Sequence, residues 1–174
     1  MTNLNSFAGF DVSKLFFDVH VIHEGKEQSC RFSYDDKGLA ALVKWLPHTA
    51  HCVMEATGPY YLRLACCLYN NSFRVSVVNP LVIKRFSQMR LLRTKTDKAD
   101  AKMIAAYALT EQPLLWQPPT AYVVKLRQME ALLHRLEKHR SALLCQKEAF
   151  TSSNMLDKEV QQMLNKCLSD VKKQ

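Results

Sequence analysis

SFAGFDVSKLFFDVHVIHEGKEQSCRFSY, residues 6–34, is the stretch that decides the fold. Within it, 6–12 (SFAGFDV) and 15–23 (LFFDVHVIH) are rich in Phe, Val and Ile, the composition of strands. Ser13-Lys14 between them is short enough for a hairpin turn. Glu24-Gly25-Lys26 signals a second turn, after which 28–34 (QSCRFSY) forms a third strand. The chain therefore opens as an antiparallel meander of three strands.

Beyond the meander the period changes. Leu39, Leu42, Val43 and Leu46 recur at helical spacing in 36–46, which stops before Pro47. HCVMEA at 51–56 is a short buried strand ending at Glu55, and Thr57-Gly58-Pro59 leads into a helix over 59–70. FRVSVV at 73–78 is a further strand, followed at Asn79-Pro80 by a helix over 80–89. Another helix runs from Thr96 to 110. The order βββ-α-β-α-β-α-α predicts a mixed sheet flanked by helices over 1–112. Pro113, Pro118 and Pro119 mark a break, and 113–174 forms a helical extension. There Tyr122, Leu126, Met129, Leu133, Leu136 and Leu143 draw a coiled-coil-like stripe, with Arg140 in one seam position. The stripe can fold back on its own domain or join copies of the chain; self-association is the expectation. A last helix covers Met155–Val171.

Composition narrows the class. A 48% hydrophobic chain of 174 residues supports one ordinary domain and a small appendage. No apolar run of about 18 residues occurs, so no membrane span is expected. The start, MTNLNSFAGFDVSK, does not read as a signal peptide, which points to the cytoplasm. Cys30, Cys52, Cys66, Cys67, Cys145 and Cys167 form no CxxC pair and are expected to be reduced thiols, mostly small core residues. The net charge of +8 indicates an anionic partner. Its basic residues concentrate at Lys84, Arg85, Arg90, Arg93, Lys95, Lys98 and Lys102, opposed within 84–102 only by Asp97 and Asp100. Nucleic acid fits such a cluster, and a solvated basic helix also accounts for it.

Four carboxylates stand out. Asp11 lies in an apolar strand, where an unpaired charge costs several kcal/mol. Glu55 ends another strand, and Asp97 and Asp100 share one face of a helix. Singly, each has an ordinary role: Asp11 in a turn, Asp97 against the helix dipole after an N-cap at Thr96. Together they resemble the oxygen-donor set that two-metal phosphoryl chemistry requires. Strand-end carboxylates of an α/β sheet also lie at the edge where such folds place their sites. The HxxH pairs His20/His23 and His48/His51 read as structural, His51 on a surface loop, and Asp18 as facing water. Tyr60-Tyr61 can stack on nucleotides or pack a helix on the sheet. Lys95 and Lys98 are the cations best placed for a phosphate near the acidic helix start.

GFDVSK at 9–14, MEATGPYY at 54–61, VVNPLVIKRF at 77–86 and KTDKADAKMIAAYA at 95–108 closely resemble the DEDD-type insertion-sequence transposases, relatives of the Piv and MooV DNA invertases. The four stretches occur in the family's order and at comparable spacing, across residues 6–150. The resemblance implies a ribonuclease H-like domain similar to RuvC, with Asp11, Glu55, Asp97 and Asp100 catalytic and binding Mg²⁺ or Mn²⁺. It implies DNA transposition by strand cleavage and transfer, a long helical insertion, recombination as dimers or tetramers, and in several members a structured guide RNA. It further implies a C-terminal domain with a nucleophilic serine. Nothing after Lys147 matches that domain, and Ser141, Ser152, Ser153 and Ser169 lie outside any matching motif. The sequence is thus expected to be an excised N-terminal region or the product of a truncated gene. Two alternatives stand beside the transposase reading: a non-catalytic module that binds nucleic acid and oligomerises, and a stand-alone junction resolvase.

Overall fold

The computed structural model describes residues 6–90 and 97–173, with the side chains of 97–99 left aside. The meander forms as β1 (Ser6–Val12), β2 (Phe16–His23) and β3 (Lys26–Ser33). Its first turn is closed by Ser13, whose N–H and hydroxyl both donate to the Phe16 carbonyl, at 3.0 and 2.6 Å. The second is a two-residue turn, Glu24 (φ 48°) and Gly25 (φ 76°), both left-handed. That twist matches the strands on either side, so pairing runs right up to His23↔Lys26 and β3 begins at Lys26 rather than 28.

The alternating part follows as α1 (Asp36–Trp45), β4 (His51–Glu55), α2 (Tyr61–Asn70), β5 (Arg74–Val78), α3 (Pro80–Met89) and α4 (Asp97–Glu111). Local chemistry sets the helix starts. The Asp35 carboxylate accepts from Gly38 N–H at 2.7 Å, and Asn79 Oδ1 from Leu81 N–H at 2.9 Å with Pro80 following it. The five strands lie in the order β3-β2-β1-β4-β5. β1/β2 and β2/β3 are antiparallel, β1/β4 and β4/β5 parallel. This is the mixed sheet with flanking helices expected from the element order.

Side-chain alternation gives the sheet two buried faces. Ala8, Phe10, Phe17, Val19, Cys52, Met54 and Val75 meet α1 and α2 through Leu39, Leu42, Leu64 and Leu68. On the other face Phe7, Val53 and Val78 meet α3 and α4 through Ile83, Phe86, Ile104 and Ala108.

The chain divides into two compact units, Met1–Pro118 and Pro119–Gln174. Residues 113–116 are fastened to the first: Ser76 Oγ lies 3.0 and 2.7 Å from the Pro113 and Leu114 carbonyls, Trp116 N–H donates to Val75 O at 2.7 Å, and Trp116 meets Tyr69 edge-on. The second unit is α5 (Ala121–Ser152) and α6 (Lys158–Lys173). Leu164 and Leu168 of α6 are buried, and Lys147 donates to Asn165 at 2.7 Å. Along α5, Tyr122, Leu126, Met129 and Leu133 are exposed, and no residue of the helix is fully buried. No helix among the described residues is long and apolar enough to cross a membrane.

Candidate active site

β1 and β4 are parallel neighbours, paired through Phe10↔Met54. One step further, at the carboxyl ends of both strands, Asp11 comes level with Glu55. Alternation puts Asp11 on the face of Phe7 and Gly9, and Glu55 on the face of Val53, the side covered by α3 and α4. Both are half-buried. The Thr57 hydroxyl donates to Glu55 Oε1, and Thr57 N–H to the Glu55 carbonyl at 2.9 Å, so the turn after β4 orients the carboxylate.

Gly9 explains how α4 reaches this edge. A Cβ at position 9 would stand 2.2 Å from Ala105 N and 2.3 Å from Ala101 O, so only glycine lets the helix backbone lie directly on β1. Ile104 and Ala108 pack with Phe7 at the start of β1, while Ala101 lies over Gly9. The backbone of α4 at 101–105 thus lies directly on β1, on the face that carries Asp11 and Glu55. Asp97 opens α4, and Asp100, one turn on, is half-buried. The Asp97 side chain lies outside the described residues. Among those described, no three His, Cys, Asp or Glu form a group able to hold a metal.

Asp18 is not on a wet face. It pairs across the ladder with Asp11 and is only 3% exposed. Arg31 holds it with a two-pronged fork, Nε to Oδ1 at 3.0 Å and Nη2 to Oδ2 at 2.7 Å, and itself lies 4.0 Å over the Phe16 ring. The partner sits on the next strand, thirteen residues away, and local patterning gave no sign of it. His51 is likewise buried, contrary to the surface position expected: it opens β4, and its Nε2 lies 2.7 Å from Ser76 Oγ. Because that hydroxyl has carbonyls to donate to, it accepts from Nε2–H, which leaves His51 Nδ1 as a buried acceptor without a partner. Burial, aided by Arg74, lowers the His51 pKa to about 4. His20 is buried against Ser29, His23 meets Ser6, and exposed His48 stacks on Phe73. These histidines are structural.

The basic residues separate. Lys84, Arg85 and Arg90 are exposed on α3 and at its end, with Arg90 4.7 Å over the Phe86 ring. Lys102 is ion-paired to Glu27 at 2.5 Å, tying α4 to β3, and this contact holds the Glu27 carboxyl below its usual range. Arg93 and Lys95 lie outside the described residues, as does the side chain of Lys98. Tyr61 packs against the core and Tyr60 is exposed. All six cysteines are free thiols; Cys52 is fully buried, while Cys145 and Cys167 are exposed rather than core.

Residues 8–152 match the DEDD transposase family of the IS110 group, described as "Transposase", and the chain belongs to that family. It is 36% identical over 145 residues to the pilin gene-inverting proteins of Moraxella lacunata and Moraxella bovis. The match covers 80% of this chain and 44% of each relative, so the chain spans less than half their length. Two solved structures of Thermus thermophilus RuvC, one in complex with a Holliday junction substrate, match at 13% and 14% identity with TM-scores of 0.44 and 0.43. Each covers 64% of this chain and 99% of RuvC.

Proposed function

We propose that this chain is the metal-dependent catalytic portion of a DNA transposase, with Asp11, Glu55, Asp97 and Asp100 holding Mg²⁺ or Mn²⁺. The reading is supported by the register that brings Asp11 level with Glu55 at the ends of two parallel strands, on the face where Gly9 lets α4 lie directly on β1. The donor set is all carboxylate oxygen, which suits a hard cation. When bound, such an ion stabilises the leaving oxygen and lowers the pKa of the attacking water or hydroxyl. The chain's own residues supply the frame. Asp11 and Glu55 stand on neighbouring strands of one sheet, Thr57 fixes the direction of Glu55, and Asp100 rides on a helix that cannot slide without disturbing β1.

DNA is the substrate in this reading, cut and joined at the acidic edge, with a structured RNA as a second ligand of the basic surface. Lys84, Arg85 and Arg90 hold phosphates from α3, joined by Arg93, Lys95, Lys98 and Lys102. The exposed stripe of α5 joins copies of the chain.

Calorimetric titration with Mn²⁺ tests the site. Binding is expected for the wild type and lost in Asp11→Ala and Asp97→Ala; unchanged affinity in both variants would sink the assignment. The exposed α5 stripe also favours a second reading, a module that binds nucleic acid and oligomerises without strand transfer. Joined products formed from supercoiled element DNA by this chain alone would refute that reading.

A further inference from the structure

Asp18 is an acidic side chain with no role in the quartet, buried and set directly across the ladder from Asp11. Cross-strand partners have Cβ atoms about 5 Å apart, close enough for strong repulsion between two carboxylates. Arg31 offsets this charge through two hydrogen bonds that engage both Asp18 oxygens. The guanidinium is itself held in place by the Phe16 ring. A fork of this kind fixes direction as well as charge.

We infer that the Asp18–Arg31 ion pair is a positioning element of the metal site, neutralising the charge beside Asp11 and keeping Asp18 from becoming a fifth oxygen donor. The inference rests on the carboxylate-site reading above. Its content is electrostatic. The pair contributes little net charge where a divalent cation would bind, whereas either member alone contributes a full one. Asp18→Asn leaves the charge of Arg31 unbalanced at the position across the ladder from Asp11, which opposes cation binding. Replacing both members, Asp18→Asn with Arg31→Gln, restores neutrality with two uncharged amides that can hydrogen-bond to each other.

The test is calorimetric titration of the 174-residue chain with Mn²⁺, alongside thermal melting without metal. Asp18→Asn is expected to weaken Mn²⁺ binding about tenfold, the scale of one unit charge acting on a divalent ion across a partly screened gap. The double variant is expected to return to within about threefold of the wild type, since the charge is again balanced. A purely structural role would lower the melting temperature of both variants without this recovery of affinity. Asp18→Asn binding Mn²⁺ as the wild type does would overturn the inference, as would a double variant no better than Asp18→Asn. Should Asp18→Asn fail to fold, the double variant decides alone: near-wild-type affinity supports the pair's role, and tenfold weaker binding overturns it. A folded wild-type chain that takes up no Mn²⁺ overturns the carboxylate site itself, a result distinct from all of these.

Discussion

Gly9→Ala is the smallest change that tests how α4 is held. The added Cβ would meet backbone atoms, Ala105 N at 2.2 Å and Ala101 O at 2.3 Å, where ordinary contact begins at 3.4 Å. Backbone cannot rotate aside as a side chain can, so α4 must retreat by about 1 Å, the kind of shift that overpacking forces. Such overpacking costs typically about 1–3 kcal/mol, and the absence of a flexible neighbour argues for the upper end. For a domain of this size that lowers the melting temperature by about 10 °C. In the proposed site the retreat also shifts Asp97 and Asp100 relative to Asp11 and Glu55. A misplacement of about 1 Å in a preorganised site costs up to about a hundredfold, so Mn²⁺ affinity should fall with stability. Gly25→Ala is the control, since nothing lies within 4 Å of its Cβ position and only its φ of 76° is at stake. It should cost about 1 kcal/mol and leave Mn²⁺ binding intact. Differential scanning calorimetry and Mn²⁺ titration on both variants give the answer. A Gly9→Ala protein that melts within about 2 °C of the wild type and binds Mn²⁺ equally would refute the reasoning.

Two further outcomes follow from the same structure. His51 is held neutral by burial, with its pKa lowered from 6.5 to about 4. The unfolded chain then binds the extra proton first, so stability is full above pH 6.5 and drains as pH falls toward 4. Urea melts between pH 7 and 4 should show this loss, and His51→Gln, whose amide can still donate to Ser76, should reduce it; an equal loss in both proteins would rule His51 out as the source. On α3, exposed Lys84 and Arg85 should contact phosphates, so Lys84→Ala with Arg85→Ala should reduce the log–log salt slope of DNA binding by about 2. An unchanged slope would remove α3 from the interface.

The elements that could be read from sequence were those whose signals are local. Period-two runs, Gly25 in a turn, Asn79-Pro80 at a helix start and the run of prolines at 113–119 act on their immediate neighbours, and the structure places strands, helices and connections accordingly. Asp11 and Glu55 were legible for the same reason: a carboxylate ending an apolar strand is unusual wherever its partners are. The misplaced residues, Asp18 and His51, are polar groups whose burial depends on a partner from another strand, Arg31 and Ser76. Nothing near Asp18 in the chain offsets its charge; the sheet register does. Gly9 reads as an ordinary strand glycine until α4 is laid across it. That Asp97 and Asp100 share one helix face is legible from their spacing, but which strand the helix lies on is not.

The strap at 113–116 has a meaning beyond its hydrogen bonds. β5 is the last strand of the sheet, and an open last strand offers its backbone to any passing β-segment. Here the strap takes up the Val75 carbonyl, and Trp116 lies against Tyr69 beside it. A fragment cut after 112 would lose this cover and present β5, with its valines, as a template for aggregation, whereas one carried through Pro118 keeps it. The prolines that look like a mere border in the sequence thus bracket the guard of the sheet's vulnerable side.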